Sequence, residues 1–162
     1  MMESLPARLI KEVLGRHVET HATIGDVEEV KRLAATGADL VGGLHCGIKQ
    51  GDSPMVKALL RAGVSRSAES RRGDVPLHTA VEHPKSDTRR TGYLSIIRLL
   101  LSYDGLGPAA RNRRENTALY MTIKGHDHGI VVKLLEAGAD PDARCDFKMT
   151  AMEDACNRVR LR

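Results

Sequence analysis

The sequence predicts an all-α solenoid: helix-turn-helix units stacked side by side and joined by β-turn or hairpin fingers, about five units with partial caps at the ends. Three observations predict it. Leu77-His78 is preceded by Leu44-His45 at 33 residues and followed by Leu119-Tyr120 at 42, and Met152-Glu153 lies a further 33 on. Gly63, Gly105 and Gly138 each sit 14 residues before Leu77, Leu119 and Met152. Leu44 to Gly63 and Leu119 to Gly138 are both 19 residues, so these units keep a constant interior. A repeat of this size marks units that cannot bury an apolar face alone and do so by stacking.

The exceptions fall where length changes are best tolerated, between helices. Leu77 to Gly105 is 28, nine residues longer, which places an insertion at 83–92 in the third unit. Gly37 to Leu44 is only 7, so the first connection is short, and Gly42-Gly43 is expected to close it without a full finger. Counting 19 back from Gly37 reaches Val18, the opening of the first unit. The chain divides into an N-terminal capping helix over 1–17 and repeats over 18–43, 44–73, 74–115, 116–148 and, in part, 149–162.

Ser4 to Leu14 reads as a short amphipathic helix with Ser4 as N-cap and Leu9, Ile10, Val13 and Leu14 as its apolar face. The second helix of the first unit turns Val27, Val30 and Leu33 inward, and Asp26, Glu28 and Glu29 favour its N-terminus. Pro54 opens the next outer helix, with Met55, Val56, Leu59 and Leu60 as core. Asp74, Asn116 and Thr117 are residue types that cap helix starts, and Pro76 suits a first turn, where its missing N–H would have had no partner. Ile96, Ile97, Leu99, Leu100 and Leu101 form the most apolar helix, the expected centre of the core. Ile130, Val131, Leu134 and Leu135 repeat the pattern, and Gly63 and Gly138 stand where a left-handed cap ends a helix. Residues 149–162 hold one helix and no room for a second.

Val75-Pro-Leu-His-Thr-Ala80, Asn116-Thr-Ala-Leu-Tyr120, Leu59-Leu60-Arg-Ala-Gly63 and Leu134-Leu135-Glu-Ala-Gly-Ala-Asp140 together resemble the ankyrin repeat. The resemblance covers roughly residues 16 to 162. It implies a β-turn and two antiparallel helices per unit, and a helix-start histidine at 45 and 78 that bonds backbone groups. The pattern departs at Tyr120 and Glu153, which replace that histidine, and at Gly47, where the family places alanine. The second and fourth units are therefore expected to be less stable than the third.

Composition narrows the function. One Phe and no Trp suit a stack packed from Leu, Val, Ile and Ala better than a compact globule. Cys46, Cys145 and Cys156 are an odd number without metal-type spacing and read as free thiols, with Cys46 buried. Glu3, Lys11 and Glu12 interrupt the N-terminal apolar residues, so no signal peptide is expected. With no run long enough to span a membrane, the expected location is cytoplasmic or nuclear.

His126-Asp127-His128 is the one dense group of metal-ligand types, yet a third ligand is missing and Gly-His turns are common in this family, so no metal is assigned. No phosphate loop, nucleophile elbow or carboxylate pair appears, so no cofactor and no catalytic residue are assigned either. The fingers carry the charge. Arg66, Arg71 and Arg72 lie on one, Arg111, Arg113 and Arg114 on the next, and Arg144 and Lys148 on the third, against Glu69, Glu115 and Asp146. Lys49, Gln50, Glu82 and Lys124 would floor the groove beside them.

The expected function is a non-catalytic interaction module that binds a protein, with an acidic segment as its best partner, because arginine forks carboxylates. Nucleic acid is the competing partner, disfavoured because the fingers lack aromatic residues for base stacking. A nuclear co-regulator or inhibitor docking on a transcription factor is one alternative. A fragment or subunit of a larger assembly is another, and neither reading sets the oligomeric state.

Overall fold

The computed structural model describes residues 7–36, 38–82, 90–102, 107–125, 127–145 and 148–160. Ser4, Gly37, Gly105, His126, Asp146 and most of the 83–92 insertion lie outside them, as do the side chains of Leu9 and Ile10. The described helices are α1 (Ala7–Ile24), α2 (Val27–Ala35), α3 (Val41–Gln50), α4 (Ser53–Arg61), α5 (Pro76–Glu82), α6 (Arg90–Leu101), α7 (Ala118–Gly125), α8 (His128–Glu136) and α9 (Ala151–Arg160), with a 3-10 turn at Gly107–Ala109. They stack in two rows. The inner row runs α1, α3, α5, α7, α9, each packed on the next, and the outer row runs α2, α4, α6, α8.

One cap recurs in the outer row. Asp26, Asp52 and Asp127 each accept a hydrogen bond from the backbone N–H three residues on, at 3.1, 2.9 and 3.2 Å. Each satisfies a donor that the first helical turn leaves open. At the other end Gly63 and Gly138 take φ of 94° and 86°, the left-handed caps read from the sequence. The inner row differs from expectation. Thr117 does cap α7, accepting from the Tyr120 N–H, but the Asp74 carboxylate accepts instead from Asn112 Nδ2 of the following finger. A capping box missed in the sequence opens α9, where Thr150 and Glu153 each accept the other's backbone N–H.

The core is continuous from Val18 to Ala139, with Leu44, Ile48, Met55, Leu59, Ile96, Ile97, Leu119, Ile130 and Leu134 fully enclosed. Its edges correct the sequence reading. Leu60, Leu99, Leu101 and Val131 are half-buried and Leu135 is 43% exposed. Leu60 and Leu101 follow the buried Leu59 and Leu100 as Leu135 follows the buried Leu134, but the next outer helix lies against α4 and α6, whereas none follows α8 among the described residues. A small separate cluster of Tyr120, Cys145 and Ala151 joins the last unit to the stack.

The N-terminal half brings further corrections. The capping helix and the first helix of the first unit are one element, α1, because Gly15 in its interior does not break it. An isolated glycine costs a helix only about 1 kcal/mol. Val13 is 50% exposed rather than buried. Gly42 and Gly43 lie inside α3, not in the connection before it. A Cβ at either would collide with the Glu19 or the Val18 side chain, so the pair lets α3 lie close on α1. Cys46 is half-buried, with its thiol 3.1 Å from the Thr23 hydroxyl. Downstream of the insertion, Tyr93 is buried and donates to the Lys49 carbonyl at 2.5 Å, while Gly92 leaves room for the Gly51 carbonyl oxygen.

Candidate functional site

Three short hairpins build the finger edge. Each is closed by a backbone bond across four residues: Ser70 N–H to Asp74, Asn112 N–H to Asn116 and Cys145 N–H to Met149, at 2.9, 3.1 and 2.9 Å. Asn112 organises the middle one, its Oδ1 accepting from the backbone N–H groups of Arg114 and Asn116. At the same place in each turn the backbone is left-handed: Gly73 at φ 75°, Glu115 at 54° and Lys148 at 57°. For a residue with a Cβ that conformation costs about 1–2 kcal/mol. Glu115→Gly and Lys148→Gly are each expected to raise stability by about 0.5–1 kcal/mol in urea titrations. A loss at both would show that their side-chain contacts outweigh the strain.

Histidines tie the inner helices to these fingers. His45 Nε2 donates to the Ala68 carbonyl at 3.0 Å, and Nδ1 accepts from the Thr79 hydroxyl of the next unit at 2.8 Å. His78 Nε2 donates to the Asn116 carbonyl at 2.9 Å, but its buried Nδ1 has no partner. The cause is a single substitution in register, since Met121 stands where Thr79 stands one unit earlier. In the fourth unit Tyr120 takes the histidine position, and its hydroxyl donates to Asp154 at the register of Thr79, 3.1 Å away. Burial lowers both histidine pKa values, against a smaller opposing effect of the accepting carbonyls. Burial, then the Asp154 carboxylate, pushes the Tyr120 hydroxyl up to about 12, so it remains a donor.

The expected basic stripe separates into distinct groups. Arg71 lies 3.7 Å from Glu19 of α1. Arg113 reaches Glu69 at 3.7 Å and the Arg71 carbonyl at 3.4 Å, one finger back. Arg111 donates to the Glu115 and Arg144 carbonyls at 2.7 and 2.5 Å, and Arg144 donates to the Lys148 carbonyl at 2.5 Å. These arginines hold fingers together. Arg66 is half-buried in the turn of the second unit's finger.

Arg72 and Arg114 point elsewhere. With Glu82 and Lys124 they line a concave cavity of about 700 Å³ between the fingers of the second and third units and the inner helices α5 and α7. Val81, Tyr120 and Met121 supply its less polar wall, and Asp74 and Asp127 its remaining charge. Lys49 is exposed at the end of α3 and Gln50 reaches Cys46 Sγ, so neither joins the cavity. Arg144 and Lys148 border a second, open groove of about 570 Å³ beside Met149, Met152 and Cys156. Among the described residues no three His, Cys, Asp or Glu gather as a metal site, and no helix is long and apolar enough to cross a membrane.

A family model described as ankyrin repeats, in three copies, matches residues 44–145. Two relatives agree. The chain is 32% identical over 95 residues to ankyrin repeat and SOCS box protein 2 of Rattus norvegicus, covering 59% of this chain and 14% of that protein. It is 35% identical over 86 residues to protein fem-1 homolog A of Bos taurus, covering 50% of this chain and 13% of that protein. The chain thus spans only a small part of the length of these curated relatives.

Proposed function

Because the chain belongs to the ankyrin repeat family, whose repeats are protein–protein interaction modules, we propose that it is a non-catalytic adaptor that binds a protein partner through its concave face and finger tips. The observation that carries this reading is the cavity between the third and fourth units, where fingers and inner helices meet around Arg72, Arg114, Glu82 and Lys124. A partner's side chain can be enclosed there on two sides, which a flat outer-helix surface does not offer. The three thiols are unpaired, which fits a reducing compartment, so we place the protein in the cytoplasm or nucleus. The short span relative to its relatives also favours a second reading, in which the chain works as one portion of a larger assembly.

Position-dependent crosslinking tests the adaptor reading. A photoreactive residue at Glu82 or Lys124 is expected to capture the same protein from nuclease-treated extract. One at Lys57, exposed on α4, is expected to capture none of it. Crosslinks from Lys57 alone, or capture that disappears with nuclease, would overturn it.

A further inference from the structure

The finger arginines occur as consecutive pairs, Arg71-Arg72 and Arg113-Arg114, and the two members of each pair face different surroundings. Arg71 and Arg113 occupy equivalent positions 42 residues apart, as do Arg72 and Arg114. The first of each pair is turned to a carboxylate of another element, Glu19 or Glu69. The second of each pair lines the cavity, and Lys124 of α7 completes the set. Among the described residues, none of these three side chains has a hydrogen-bond or ion-pair partner.

The carboxylates of the cavity are engaged. Asp74 accepts from Asn112 Nδ2, Asp127 accepts from the Ile130 N–H, and Glu82 is also partnered. The cavity therefore presents three uncommitted cations and three committed carboxylates around a wall of Val81 and Met121.

We propose that Arg72, Arg114 and Lys124 form the recognition point of the concave face, taking one carboxylate of an extended peptide whose neighbouring side chain is apolar. This rests on reading the concave face as the binding surface. A carboxylate suits the site because guanidinium groups bind it in a fork, and the three cations line one cavity. The resident Asp74, Glu82 and Asp127 act against a nucleic-acid strand, whose successive phosphates would meet as many fixed negative charges as positive ones. A peptide with one carboxylate sets a single negative charge against the three cations, and its adjacent apolar side chain fills the Val81 and Met121 wall. The volume fits one or two side chains, not a folded surface.

The test is selection from a random displayed-peptide library on the full chain at physiological salt. The selected peptides are expected to share an Asp or Glu beside an apolar residue. Their affinity should fall roughly tenfold or more in the Arg72→Gln/Arg114→Gln/Lys124→Gln variant, and equally when the peptide carboxylate becomes an amide. Lys57→Gln/Arg98→Gln, on the outer helices α4 and α6, should leave it unchanged. The substituted residues are exposed, and matching melting curves will show that the variants fold. Selected peptides that lack a carboxylate, or that ignore the triple substitution, overturn this assignment and leave the adaptor reading intact. Displacement by a single-stranded oligonucleotide at the same three cations overturns the carboxylate preference. A library that yields no binder overturns the adaptor reading itself.

Discussion

Leu100→Ala is expected to lower unfolding free energy by about 2–5 kcal/mol, and Leu135→Ala by less than about 1 kcal/mol. Both leucines belong to outer helices of the same repeat pattern, so composition and propensity do not separate them. Coverage does. Leu100 is 4% exposed on α6, which has an outer helix on each side, α4 and α8. Truncating it removes buried methyl groups and leaves a cavity that two packed neighbours restrict from collapsing. Leu135 is 43% exposed on α8, where much of the side chain is already in water. Urea titrations of both variants decide the point. Equal losses would mean that something covers α8 in solution as α8 covers α6.

The repeat itself was legible because its signals are local and redundant. Apolar spacing and the glycine caps at Gly63 and Gly138 keep one register, and the chain follows it. What escaped was decided by relations between units. Gly42-Gly43 read as the close of the short first connection, since a glycine in sequence does not show whether it breaks a helix or admits a neighbour. The caps at Asp26, Asp52 and Asp127 were not read in the sequence, and only the structure shows all three accepting equivalent bonds. Leu135 looked like core because its pattern is that of Leu60 and Leu101, and exposure depends on the helix that follows, not on the pattern.

The candidate site was legible in position and not in partition. Sequence register places Arg71, Arg72, Arg113 and Arg114 on adjacent fingers, but adjacent side chains of one turn face different neighbours. Only the contacts show that Arg71 and Arg113 bind the fold while Arg72 and Arg114 face the cavity. An all-arginine charge reversal would thus mix two effects. Reversing Arg113 would set two acidic groups against each other at Glu69 and loosen the finger, apart from any effect on a partner. Exposed pairs of this kind contribute about 0–1 kcal/mol each, so a network of fingers, not any one bond, holds the edge.

Stability is expected to fall steeply as pH drops below 6.5, driven by His45 and His78. Both rings are buried, and burial disfavours their charged forms. Lys49 also disfavours a charge on His45, while the Ala68 and Asn116 carbonyls and Asp74 act the other way without reversing the shift. The folded-state values therefore lie below the ordinary 6.5 that applies to the unfolded chain. Above 6.5 both states are neutral and these histidines add no pH dependence. Between 6.5 and the lowered folded values the unfolded chain binds protons that the folded chain does not. Each histidine then removes up to about 1.4 kcal/mol per pH unit. The geometry makes the penalty hard to escape. A proton on His45 Nδ1 would force the Thr79 hydroxyl to turn from donor to acceptor, and one on His78 Nδ1 would have no acceptor at all. Melting curves from pH 7.5 to 5.0 should show the decline in the wild-type chain. In the His45→Gln/His78→Gln variant the starting stability is lower but the slope through this window is much reduced. A wild-type curve as flat as the variant's would mean that both rings take protons in the folded chain, and that the inner helices release their fingers to let them.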